Sequence, residues 1–132
     1  MTEKIIYPMG INLTLKIISG KWKPSIICYL GARERRNGEL RRHLSGISQK
    51  VLTQQLRELE EDGIVKRTNY GTVPPKVVYS LTKSGYSLRH ILVDLSIWGE
   101  RKAKEFNDNG DNITIETTSD LIMKETKKGM QN

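Results

Sequence analysis

Residues 48–63, SQKVLTQQLRELEEDG, constrain this chain more than any other stretch. The segment opens on Ser48, a good helix cap, and closes on Gly63, which suits the left-handed position after a helix. Between them Val51, Leu52, Leu56 and Leu59 recur near helical spacing, so one face can be buried. The opposite face carries Gln49, Lys50, Thr53, Gln54 and Arg57, and none of these is acidic. Such side chains can hydrogen-bond base edges or phosphates. The acids Glu58, Glu60, Glu61 and Asp62 fall in the second half. Taken alone, the stretch reads equally well as a solvated amphipathic helix, so its neighbours must decide.

Before it, Gly38-Glu39-Leu40-Arg41-Arg42-His43-Leu44 reads as a short helix with Leu40 and Leu44 inward. Ser45-Gly46-Ile47 is a tight turn. A short and a longer helix joined by such a turn form a helix-turn-helix. After Gly63 the period changes to alternation. Residues 64–70 read as one strand and residues 76–81 as its return, with Val77, Tyr79 and Leu81 on one face. Pro74-Pro75 stiffens the loop between them. A basic hairpin in this place is a wing.

The flanking segments supply greasy helices. Residues 1–8 read as an arm, and Pro8 permits a helix from about Met9 to Ser19-Gly20 bearing Ile11, Leu13, Leu15, Ile17 and Ile18. A second helix from about Trp22 to Gly31 carries Ile26, Ile27, Tyr29 and Leu30 and belongs at the centre of the core. Thr82 opens a long helix to about Phe106, with Gly85 and Gly99 as weak points and a stripe of Leu88, Ile91, Leu92, Leu95 and Trp98. Its first half is expected to pack on the domain and its second half on a twin subunit, with Ile11, Leu15, Ile91, Leu95 and Trp98 at that interface. The domain therefore spans residues 1–106. Residues 107–132 form a tail, partly ordered or flexible, in which residues 113–115 could add a strand and residues 121–123 one helical turn. Residues 129–132 are expected to fray.

Charge supports an anionic partner. The chain has 22 basic and 15 acidic residues, a net charge of +7. The excess is concentrated in residues 1–104, with 19 basic and nine acidic residues, while residues 105–132 are net −3. A basic body of this kind points to nucleic acid before other anions. Cys28 is the one cysteine, which excludes an intrachain disulfide, and it reads as a buried structural thiol. No apolar run reaches membrane-spanning length, and the chain reads as a reduced, cytoplasmic, nucleoid-associated protein with no membrane partner. Trp22 reads as a core anchor, and Arg33, Arg35 and Arg36 read equally well as solvated charge or as part of the basic binding surface. His43 and His90 have no ligand-spaced partner, so no metal and no cofactor is expected. A Gly-rich phosphate loop and a Cys-His nucleophile pair are both missing, which leaves an enzyme without machinery.

The run of residues is also specific to a known group. Gly20-Lys21-Trp22-Lys23-Pro24, Gly38-Glu39-Leu40-Arg41-Arg42, Gly46-Ile47-Ser48-Gln49-Lys50, Leu52-Thr53-Gln54-Gln55-Leu56-Arg57-Glu58-Leu59-Glu60, Asp62-Gly63, Val73-Pro74-Pro75-Lys76-Val77, Tyr79-Ser80-Leu81-Thr82 and Trp98-Gly99 stand in uninterrupted order. In these, residues 20–99 resemble the HxlR-type bacterial winged-helix transcriptional regulators, relatives in fold of the MarR and ArsR types. The resemblance implies a homodimer that binds operator DNA. Several members carry a redox-sensing cysteine ahead of the first helix, where this chain has Met9, so thiol sensing at that position is not carried over.

The expected fold is mainly α with a small β-hairpin wing: a winged helix-turn-helix dimerising through its N- and C-terminal helices. The expected function is sequence-specific binding of double-stranded DNA as a homodimer on a pseudo-palindromic operator. The recognition helix, about residues 48–62, enters the major groove, and the wing, residues 64–81, lies on the flanking groove. Ser48 and Gln49 clamp backbone, and Lys50 and Arg57 pair with phosphate or guanine. Gln54 suits adenine, and Thr53 a thymine methyl. Arg41 and Arg42 hold flanking phosphates, while Thr72 and Lys76 reach out from the wing. A small-molecule effector of unidentified chemistry stays open. The alternative is a winged-helix module for protein contacts without sequence-specific DNA binding.

Overall fold

Ser48 does what its residue type allows. Its Oγ accepts a hydrogen bond from the Val51 N–H at 3.1 Å and begins a helix. The computed structural model describes the backbone of residues 3–131 and the side chains of residues 3–125. Its elements in chain order are α1 (Gly10–Ile17), α2 (Lys23–Ala32), α3 (Asn37–His43), α4 (Gln49–Glu61), β1 (Val65–Asn69), β2 (Val77–Leu81), α5 (Lys83–Asp108) and α6 (Ser119–Gln131). The fold is mainly α with a two-stranded antiparallel wing behind a helix-turn-helix.

The core is built around α2, whose Ile26, Ile27 and Leu30 are fully enclosed. Leu40 and Leu44 from the α3 region and Leu52, Leu56 and Leu59 from α4 close on the same core. Burying each of these leucines contributes about 1.5–3 kcal/mol relative to leaving it exposed. Trp22 packs half-buried against this core. α4 ends in a Schellman arrangement: the Ile64 N–H donates to the Leu59 carbonyl at 2.9 Å and the Gly63 N–H to that of Glu60 at 3.0 Å. Gly63 sits at φ +73°, which any larger residue would hold only under strain. The acidic end of α4 faces the protein in part, since Glu58 pairs with the buried Lys23 at 3.5 Å.

The hairpin register pairs Val65 with Leu81 and Asn69 with Val77. Arg35 extends the sheet by an isolated antiparallel bridge to Tyr79. Val78 is as buried as Leu81, while Val77 and Tyr79 are half-buried, because α2, α3 and α5 all pack against β2 and cover parts of both faces. Gly85 is a packing requirement rather than a weak point. A Cβ there would lie 2.2 Å from the Ile64 carbonyl oxygen, so only glycine lets α5 start so close to the wing.

The tail differs most from expectation. Residues 113–115 form no strand, because the Asn107 side chain takes both backbone groups of Ile113 that a ladder would need. Residues 121–123 belong to α6, a helix of 13 residues that runs on through Gln131. Its start is fixed by Glu100 of α5, which accepts from the Ser119 backbone N–H at 2.9 Å and from its hydroxyl at 2.8 Å. Ile122 then enters the core. Asn132, included among the residues expected to fray, lies outside the described residues.

Candidate nucleic-acid interface

The exposed side of α4 and the loops beside it gather most of the polar residues singled out from the sequence. Gln49, Lys50, Gln54 and Arg57 are exposed and Thr53 is half-buried. Gln55 is turned partly inward and donates to Glu58 at 3.2 Å. The first turn of α4 has no acidic residue, so its free N–H groups and positive dipole end face outward unopposed. The last turn of α3 adds Arg41, Arg42 and His43.

These groups are partly tied together. Gln49 Oε1 accepts from Arg41 Nη1 at 3.4 Å, and Gln49 Nε2 donates to Thr53 Oγ1 at 3.1 Å. The chain of contacts joins the end of α3 to the first turn of α4. It spares rotamer entropy that a docking surface would otherwise lose. The Ser48 Oγ accepts from Val51, which leaves its proton available to a phosphate.

In the wing, the Thr72 hydroxyl donates to the Pro74 carbonyl at 2.8 Å and shapes the tip. Lys76 lies over the Tyr70 ring at 5.1 Å. Arg36 is exposed, as solvated charge would be. Arg36 lines a recess of about 540 Å³ with Arg42, Lys76, Glu34 and Glu39, beside the path from α3 to the wing. In the sequence it is indistinguishable from its neighbours in Arg33-Glu34-Arg35-Arg36, and only the fold brings it to the same recess as Lys76.

Of that run, Arg35 is the opposite of solvated charge. Its side chain is fully enclosed. His43 is also less isolated than expected: it stacks on Tyr29 with ring centroids 4.6 Å apart, and its Nε2 lies 3.8 Å from Glu125. Partial burial, then the Arg35 charge, push the imidazole below its ordinary pKa. Among the described residues no group of three or more His, Cys, Asp or Glu could hold a metal ion, and no helix is long and apolar enough to cross a membrane.

On another side of the domain lies a cavity of about 630 Å³ between α2, the α3–α4 turn, α5 and residues 116–122. Trp22, Cys28, Tyr29, His43, Leu92 and Leu95 contribute to its wall. Burial pushes the Cys28 thiol up from its ordinary pKa, with the Arg89 charge opposing, which disfavours the thiolate. α1 buries none of its residues, and Ile11, Leu15, Ile91, Leu95 and Trp98 are all exposed.

Comparison with known proteins matches this arrangement to a named group. The HxlR-like helix-turn-helix family matches residues 17–107, which run from the end of α1 through the wing and most of α5. The chain belongs to the HxlR-like family. It is similar to the HTH-type transcriptional regulator YtcD of Bacillus subtilis, with 50% identity over 97 residues, covering 74% of this chain and 77% of that one. Among solved structures it is similar to the redox regulator HypR in its reduced form, with 42% identity, a TM-score of 0.72 and coverage of 76% and 99% of the two chains. A transcriptional regulator of the MarR family from Enterococcus faecalis V583 gives 48% identity and a TM-score of 0.67, covering 74% and 89%. As an HxlR-like protein the chain is a DNA-binding transcriptional regulator, and the family is not a catalytic one. The HxlR-like match ends at residue 107, so α6 lies beyond it.

Proposed function

We propose that the chain binds a pseudo-palindromic operator in double-stranded DNA as a homodimer, with α4 in the major groove and the wing on the flanking groove. The observation that carries this reading is the acid-free first turn of α4, joined through Gln49 to Arg41 and flanked by Arg42 and Lys76. In this reading Ser48, Gln49, Arg41 and Arg42 hold phosphates. Lys50, Thr53, Gln54 and Arg57 face bases, and Thr72 and Lys76 act from the wing. The exposed Ile11, Leu15, Ile91, Leu95 and Trp98 support twinning through α1 and α5. Residues 1–106 carry both tasks in the cytoplasm, on the nucleoid, and residues 107–132 form a C-terminal tail. An effector, of chemistry still to be identified, would occupy the cavity beside Trp22 and Tyr29.

Selection of bound sequences from a random DNA pool tests the reading. The expected product is a two-fold consensus with half-sites about 34–36 Å, one helical turn, apart. A flat result would instead favour a module for protein contacts. Arg57→Ala is expected to cost about 1–3 kcal/mol of specific affinity and to relax one base position. Sedimentation at micromolar concentration should give a dimer, and a monomer would remove the twin.

A further inference from the structure

Arg35 joins four elements. Its backbone exchanges two hydrogen bonds with Tyr79 of β2, at 2.9 and 2.7 Å. Its Nε donates to the Tyr29 carbonyl of α2 at 3.1 Å. Its Nη1 lies 3.1 Å from His43 Nε2 at the end of α3. Its Nη2 is hydrogen-bonded and ion-paired to Glu125 of α6. The Arg35 side chain has no exposure, and that of Glu125 keeps 23%. A guanidinium out of water needs a counter-charge, and among the described residues Glu125 is the carboxylate within ion-pair range. Arg33 also approaches Glu125 at 3.7 Å, but it has Glu39 at the same distance and could do without it.

We propose that Glu125 is a positioning residue for DNA binding: through Arg35, α6 braces the wing and the helix-turn-helix in the arrangement that meets DNA. This rests on the DNA-binding reading above. Without the carboxylate, the buried cation gains by moving toward water on the α6 side. That movement pulls on the Arg35–Tyr79 bridge, three residues from Lys76, and withdraws the contact with His43, which follows Arg41 and Arg42 directly. The wing and the end of α3 would then lose their seats together, although Glu125 itself faces the protein. The brace joins α6, which lies beyond the matched residues 17–107, to elements within them.

The test uses the full chain and the operator selected from the random pool, at a temperature where every variant is folded by circular dichroism. Glu125→Gln is expected to weaken binding about ten-fold, whereas Asp111→Asn, exposed on the same tail, leaves it unchanged. Lys76→Ala should cost less in the Glu125→Gln background than in the wild type, because the wing has already lost its seat. If Glu125→Gln does not fold, Glu125→Asp keeps the charge and withdraws it by one methylene, with a loss of about three-fold expected. Wild-type affinity in the variant that folds, or full additivity with Lys76→Ala, overturns the inference. If the wild-type chain selects no sequence, the DNA-binding reading fails instead. Hydrogen exchange at the Tyr79 amide then decides the brace: faster exchange in Glu125→Gln supports it, and unchanged exchange overturns it.

Discussion

α4 and α6 have the same length, 13 residues each, and are held to the domain in different ways. α4 lays Leu52, Leu56 and Leu59 into the core, with a hydroxyl cap at one end and a glycine at the other. Among its described side chains, α6 brings one buried apolar residue, Ile122, between two polar fastenings: Glu100 at its first residue and Arg35 at Glu125. An apolar stripe is non-directional and roughly additive in area, so a helix held that way belongs to the cooperative core. Fastenings made of hydrogen bonds and an ion pair depend on geometry. A helix held that way can come off while the core stays folded.

Four measurements would break or sharpen this contrast. Leu56→Ala, at a site with 1% exposure, is expected to cost about 2–5 kcal/mol of global stability in urea unfolding. Ile122→Ala should cost about 2 kcal/mol, the low end of that range, and the loss should be local. In hydrogen exchange the α6 amides would speed up while those of α4 hold; equal acceleration in both would show α6 to be as integral as α4. Ser48→Ala removes the acceptor for the Val51 N–H and is expected to cost about 1 kcal/mol, seen as a lower thermal midpoint.

The smallest effect concerns pH. His43 has its folded pKa lowered below the ordinary 6.5, by burial first and Arg35 second, with Glu125 opposing. The unfolded chain therefore takes up the proton more readily than the folded one, and stability falls as pH drops below about 6.5. Thermal midpoints followed from about pH 8 to about pH 5.5 should decline less in His43→Gln than in the wild type. Equal slopes would remove His43 as the sensitive group.

The same contrast explains what the sequence discloses. The period of Leu52, Leu56 and Leu59, the Ser48 cap and the Gly63 stop are local signals, and each matches its structural role. The alternation of the wing strands and the Thr82 start of α5 are local as well. The fastenings of α6 are not local, since Arg35 and Glu125 lie 90 positions apart. In a run such as Arg33-Glu34-Arg35-Arg36 nothing separates the arginine that is enclosed from those left in water. Only the bridge to Tyr79, which turns the Arg35 side chain inward, makes the difference. Gly85 was legible as a glycine but not as a contact, because its reason is the Ile64 carbonyl across the chain. The exposed side chains of α4 can be read from the helical wheel. The ties from Gln49 to Arg41 and Thr53 cannot, since they depend on how α3 meets α4.

The contact at Thr82 has a mechanical consequence. Its hydroxyl accepts from the Gly85 N–H at 3.0 Å and donates toward the Gly63 carbonyl at 2.6 Å, with the Ile64 carbonyl at 3.2 Å. One side chain thus clamps the root of α5 to the end of α4 and the beginning of β1. α5 has 26 residues, a rod of about 39 Å at the helical rise. With its root clamped and glycine allowing no slack at Ile64, the rod cannot tilt independently of the recognition elements. A tilt of about 5° between two such rods would move their far ends by about 3 Å. In a twin joined along α5, that lever would turn a small change of angle at the seam into a change of reach between half-sites.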